Sequence, residues 1–209
     1  MPTHKKHQNY YSARSVVTII LGIFTLAGAA VGISIFIFLA SMDEHAAEDF
    51  SQRIDIAIEK EERFISLIAE EYSYWDEAYQ KIFVAHDGRW IENNSGQYLI
   101  SQYGFDFSVA IGPELQQAYL VTSEDFAGMT FEHLMPSGLD ALVQAVSKLN
   151  EKSDGTKGIV NGYIRYDDQI FLVTMQAFRD EKSEKVRPNA YLAVGRCLDQ
   201  EYAREVESD

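Results

Sequence analysis

The sequence predicts an α+β protein: one N-terminal transmembrane helix continuing into a long stalk helix, then a domain with a five-stranded antiparallel sheet flanked by helices. Three observations predict it. Ser15 to Ala40 is a run of 26 residues without a charge. Asp43 to Ala85 contains neither Pro nor Gly and carries apolar residues at alternating spacings of four and three. After Gly104 the pattern changes to short β-type segments separated by turn residues.

The uncharged run would reach about 39 Å as a helix, more than the roughly 30 Å of a bilayer's hydrocarbon core. It is also longer than the apolar region of a cleavable signal peptide, so it reads as an uncleaved anchor. Lys5, Lys6 and Arg14 precede it with no acidic residue, whereas Asp43, Glu44, Glu48 and Asp49 follow it. The positive-inside rule then places residues 1–14 in the cytoplasm and 43–209 outside the cell membrane. All 32 acidic residues lie in that outer part. The three basic residues before the span are the only ones it lacks, so it carries −17 where the whole chain carries −14. Such a charge repels phosphate backbones and argues against nucleic acid as a partner. Cys197 is the sole cysteine, so no internal disulfide exists, and the sequence permits either a buried thiol or one that pairs between chains.

The stalk, residues 43–85, carries the line Ile54, Ile58, Glu61, Ile65, Ile68, Tyr72, Trp75, Tyr79 and Ile82, broken only by Glu61. This is a heptad seam. Gly28 and Gly32 form a G-x-x-x-G pair within the span. Together they predict a parallel homodimer joined through Gly28, Gly32, Ile54, Ile58, Ile65 and Ile68. Tyr72, Trp75 and Tyr79 line one helical face, with Asp76 beside it.

Residues 86–197 read as the domain proper. Strands are expected at Phe105–Ile111, Gln117–Thr122, Ile159–Tyr166, Gln169–Phe178 and Tyr191–Gly195. A helix is expected at Ser137–Leu149, solvated loops at Ser153–Gly158 and Arg179–Pro188, and a C-terminal helix at 198–209. With helices on one side of the sheet and a long helix leading from the membrane, this is the outline of a PAS-like (Cache-type) module.

No nucleophile elbow, zinc-protease helix, P-loop or dinucleotide fingerprint is present, so no enzyme activity and no cofactor are expected. His45, Glu48 and Asp49 have helical spacing, but an acidic first turn explains them without a metal. Asn93-Asn94-Ser95 fits the short N-glycosylation triplet. In strand 159–166, Val160, Ile164 and Tyr166 point one way and Asn161, Tyr163 and Arg165 the other. The second set is either the solvated face of a one-sided sheet or the lining of a pocket beneath helix 137–149. In the pocket reading Arg165 offers a planar fork to a small anionic metabolite.

The stretches "EYSYWDEAYQKI", "RWIENN" and "YGFDFSVAI", with the terminal Gly195-Arg196, resemble the CHASE-type extracellular sensory domains of the fourth class, over about residues 50–205. The matching motif positions are Trp75, Asp76, Tyr79, Trp90, Asn93 or Asn94, Tyr103, Gly104, Asp106, Gly195 and Arg196. Trp75, Asp76, Tyr79, Trp90 and Asn93 are expected to form a structural corner. The resemblance implies a ligand-sensing input domain of a bacterial or archaeal membrane receptor, commonly a cyclic-di-GMP enzyme or a histidine kinase. Relatives return through a second span to an output domain, and this chain stops at Asp209 with neither. A fragment of a longer receptor and a stand-alone anchored domain both fit. An anchored scaffold that binds a protein partner is the alternative function.

Overall fold

Helix α1 (Ala13–Ser73) opens the computed structural model, which describes residues 13–152 and 158–208. The side chains of residues 13–17, 27, 35, 37–49, 188 and 205–208 lie outside that description. So do Lys5, Lys6 and most of the predicted loop 153–158. The chain divides into two compact units, Met1–Arg53 and Ile54–Asp209.

In the first unit α1 exposes large apolar side chains, among them Ile19, Phe24, Leu26 and Phe36. The Thr25 and Ser34 hydroxyls donate to the Leu21 and Ala30 carbonyls at 2.9 Å, which satisfies them within the helix. Among the described residues no helix is long and apolar enough to cross a membrane. Ala27 and Ile35, inside the uncharged run, are among the positions without described side chains.

The second unit is α+β. After α1 come α2 (Asp76–Tyr79), which continues as a wider turn over Gln80–Val84, then α3 (Gly88–Asn94) and α4 (Gly96–Tyr103). Asp87 starts α3 by accepting from the Trp90 N–H at 3.1 Å. Gly104, with φ of +70°, ends α4, so strand β1 begins at Phe107 rather than at Phe105. The strands are β1 (Phe107–Ile111), β2 (Gln117–Thr122), β3 (Ile159–Tyr166), β4 (Gln169–Arg179) and β5 (Val186–Cys197). Between β2 and β3 lie α5 (Phe131–Leu134) and α6 (Asp140–Lys152), and α7 (Gln200–Ser208) follows β5. All pairings are antiparallel, in the order β2-β1-β5-β4-β3.

Further expectations are corrected. The stalk is not one helix to residue 85: α1 ends at Ser73, and Trp75 is extended with φ −95° and ψ 109°. No Pro or Gly marks the break, because tertiary contacts of the following residues impose it. The helices do not lie on one side. One face of the sheet packs Phe107, Val109, Phe171, Val173 and Met175 against α5 and α6. The other buries Ala110, Leu172, Leu192, Val194 and Phe178 against residues of α1 to α4 and the wide turn. That is why β4 is buried continuously from Phe171 to Phe178 instead of alternating. Finally, β5 is much longer than Tyr191–Gly195. Pro188 hides its start, and the left-handed Asn189, φ +59°, absorbs the irregularity.

The seam residues Ile65 and Ile68 are buried with Ala69 against Leu99, Phe105, Leu172 and Val194 of the same chain. They are core, so their assignment to a dimer interface is corrected. Ile54 and Ile58 remain half-buried.

Candidate functional site

Four of the five residues expected at a corner, Trp75, Asp76, Tyr79 and Trp90, lie near one another where α1 stops. Ser73, fully buried, turns its hydroxyl back to the Glu70 carbonyl at 3.1 Å. The Trp75 ring then lies 5.1 Å from Trp90, tilted by 53°. Asp76 opens α2, and its Oδ1 accepts from Arg187 Nη2 at 2.6 Å and from the Glu181 N–H at 3.2 Å. Its own N–H donates to Glu181 Oε1 at 2.8 Å. Arg187 also donates to Asp180 Oδ2 at 3.1 Å, and its Cζ sits 4.2 Å from the Tyr79 ring centroid. The N–H and hydroxyl of Ser183 both donate to Asp180, holding its carboxyl below the ordinary range. Asn93 is exposed and outside this network. Asn94 takes the place expected of it, donating through Nδ2 to the Trp90 carbonyl at 2.9 Å.

A second set of motif residues closes the other end of the sheet. Asp106 Oδ2 accepts from the Cys197 N–H at 2.7 Å, and Oδ1 accepts from the Ser123 hydroxyl at 3.2 Å. Burial nonetheless raises the pKa of its carboxyl above the ordinary value. Gly195 pairs with Phe107, and a Cβ there would overlap the fully buried Phe107 ring. Tyr103 packs on Phe105 with centroids 6.0 Å apart and meets Tyr72 edge-on at 6.2 Å. Arg196 Nη1 donates to Glu61 Oε1 at 3.1 Å. Glu61, the one charged residue on the seam, is therefore the partner of the terminal Gly-Arg motif.

At the corner end of the sheet, where Arg179 pairs with Val186, Arg179 Nη1 stands 3.7 Å from Glu70 Oε1. Three arginines of β4 and β5 thus face three acids on α1 and α2: Arg196 with Glu61, Arg179 with Glu70, and Arg187 with Asp76. The expectation of a solvated loop over Arg179–Pro188 fails at its two arginines. Their side chains are only 13% and 22% exposed. Asp180, Glu181 and Arg187 were not expected in the corner. Arginines flanking an acidic loop, within a domain of strong negative charge, were the available signal.

Of the two readings for β3 the solvated one fits, since Asn161, Tyr163 and Arg165 are all exposed. Val160, Ile164 and Tyr166 pack in the core on the α5–α6 face. Asn161, Tyr163 and Arg165 therefore point to the opposite face, and their placement beneath α6 is corrected. Asn161 Oδ1 accepts from Ser66 at 3.0 Å and from Thr174 at 2.7 Å. The Tyr163 hydroxyl donates to Glu62 at 3.2 Å. Arg165, 72% exposed, is folded onto Asp168 at 3.1 Å and the Asp167 carbonyl at 3.1 Å. Gly162 lets α6 approach, since a Cβ there would stand 2.7 Å from Leu142 Cδ2.

Beside the corner lies an open cleft of about 420 Å³ lined by Glu71, Tyr72, Tyr74, Trp75 and Glu181. Among the described residues no group of three or more His, Cys, Asp or Glu is arranged to hold a metal. The side chains of His45, Glu48 and Asp49 lie outside the described set.

Comparison with known protein families gives a match to the CHASE4 domain over residues 57–209. No curated protein matches the chain.

Proposed function

The chain belongs to the CHASE4 domain family, a sensory, non-catalytic domain family of signal-transduction receptors, and from this premise we propose that it is the extracytoplasmic ligand-sensing input of a membrane-bound receptor. The outputs proposed for that receptor are a cyclic-di-GMP enzyme or a histidine kinase. The observation that carries the reading is the convergence of Trp75, Asp76 and Tyr79 on Arg187 and Trp90 at the end of α1. A ligand that alters this corner changes how the C-terminal end of α1 is held by β5. A helix end held by discrete ion pairs can have two arrangements, which is what a switch requires.

In this proposal the run 15–40 crosses the bacterial cell membrane, with the N-terminus in the cytoplasm and residues 43–209 outside. Its 26 uncharged residues and internally bonded hydroxyls support that placement. The fold of the second unit is read as PAS-like, of the Cache type, supported by the antiparallel order with β5 at the centre. Pairing of two chains runs through Gly28 and Gly32, where a Cβ would meet nothing within 4 Å, and through Ile54 and Ile58. The anionic ligand proposed for Arg165 loses its support, because that side chain is 72% exposed and lies on the face opposite α6.

The test replaces Asp76 by Ala in the receptor-bearing cell and, separately, deletes residues 57–209. Cyclic-di-GMP and kinase phosphotransfer are followed in both. A change in either output under both alterations is expected. Unchanged outputs together with loss of a co-purifying protein would replace the sensor by an anchored scaffold.

A further inference from the structure

We propose that the cleft beside the corner binds a small organic ammonium ion. The inference rests on the sensory reading above and names the chemistry of its ligand. Three aromatic residues, Tyr72, Tyr74 and Trp75, and two acids, Glu71 and Glu181, line the cleft, and among the described residues no basic one does. Aromatic faces attract cations through their quadrupole, and the attraction grows as the cation is desolvated. Two carboxylates add charge complementarity, in an outer region that is itself strongly negative. A carboxylate or phosphate would face repulsion from both Glu71 and Glu181, and the nearby Arg179 is turned to Glu70, 3.7 Å away, rather than into the lining.

The walls also come from separate parts of the chain. Glu71 and Tyr72 belong to the last turn of α1, whereas Glu181 belongs to the β4–β5 loop. The Tyr74 hydroxyl already reaches the Glu181 carbonyl, at 3.4 Å. A cation between Glu71 and Glu181 draws that loop toward α1. Glu181 is also the residue that caps the Asp76 N–H, so occupancy acts directly on the corner. The aromatic lining favours ammonium ions that carry methyl or methylene groups over bare metal cations, which keep their water.

The experiment is calorimetry on the full chain in detergent, with choline and putrescine as probes and sodium chloride at matched ionic strength as control. Binding of at least one probe is expected. Glu71→Gln and Tyr74→Leu should each weaken it by about tenfold, and Tyr74→Phe, which keeps the ring, by much less. Glu71 is exposed and Tyr74 half-buried, so these variants keep the fold, which an unchanged melting temperature verifies. Absence of heat with both probes at millimolar concentration overturns the proposal. So does binding that survives the Glu71→Gln, Tyr74→Leu double variant. Either failure leaves the sensory reading to its own test, the signalling output of the Asp76→Ala receptor.

Discussion

Asp76 and Glu181 cap each other: the carboxylate of each accepts the backbone N–H of the other, at 3.2 and 2.8 Å, across more than a hundred residues of sequence. The exchange replaces the local cap that α2 lacks and fastens the β4–β5 loop to the end of α1. Arg187 then neutralises Asp76. Asp76→Ala should cost about 1–3 kcal/mol, because it leaves a half-buried guanidinium with Asp180 as its remaining acid. Arg187→Ala should cost a similar amount. In urea unfolding of the two single variants and the double, the losses should be clearly non-additive. Additive losses would mean that the pair is not energetically coupled.

Gly195→Ala tests the close approach at the centre of the sheet. The added methyl would meet the Phe107 ring, which is fully buried and packs 5.8 Å from Phe171. Overpacking of this kind costs about 1–3 kcal/mol. The melting temperature should fall, and pairing the change with Phe107→Leu should recover part of the loss. No recovery would place the strain elsewhere.

Cys197 is 5% exposed, and burial pushes its thiol up to about 12, with Asp199 and Asp106 adding to the effect. At neutral pH the thiolate that reacts with disulfide reagents is scarce. The native chain should therefore resist a thiol-labelling reagent and react fully once unfolded in guanidinium. Rapid native labelling, or a reducible dimer, would contradict this burial.

Cysteine introduced at Ile58 in a Cys197→Ser background should crosslink between chains, if two copies pair along the lower part of the second unit. Cysteine at Ile65 should not, because that side chain is fully buried in its own chain's core. Equal crosslinking at exposed Lys60 and at Ile58 would remove the proposed pairing face.

Much of the fold was legible because it rests on local physics. The turn residues and alternation around Asp167-Asp168 mark the β3–β4 hairpin, and Tyr166 pairs with Gln169 as a two-residue turn requires. The strands of the β1–β2 pair and the apolar face of α6 are likewise read from periodicity. The composition of residues 15–40 determines a run with no charge to place in water, and the charges on either side determine its expected direction. The motif residues Trp75, Asp76, Tyr79 and Trp90 could be identified, although not what they touch.

Tertiary structure alone decided the partners and the faces. The stalk helix stops at Ser73 without Pro or Gly, because Trp75 and Asp76 find better contacts in Trp90, Glu181 and Arg187 than another helical turn provides. Periodicity could not tell whether Ile65 and Ile68 face a second chain or their own sheet, since an apolar stripe on a helix suits either. Nor could it tell which way the alternation of β3 faced, and Arg165 consequently lies on the side opposite α6. The three arginines that face Glu61, Glu70 and Asp76 lie far along the chain from those acids. Electrostatic pairing depends on distance in space, and only the folded chain supplies that distance.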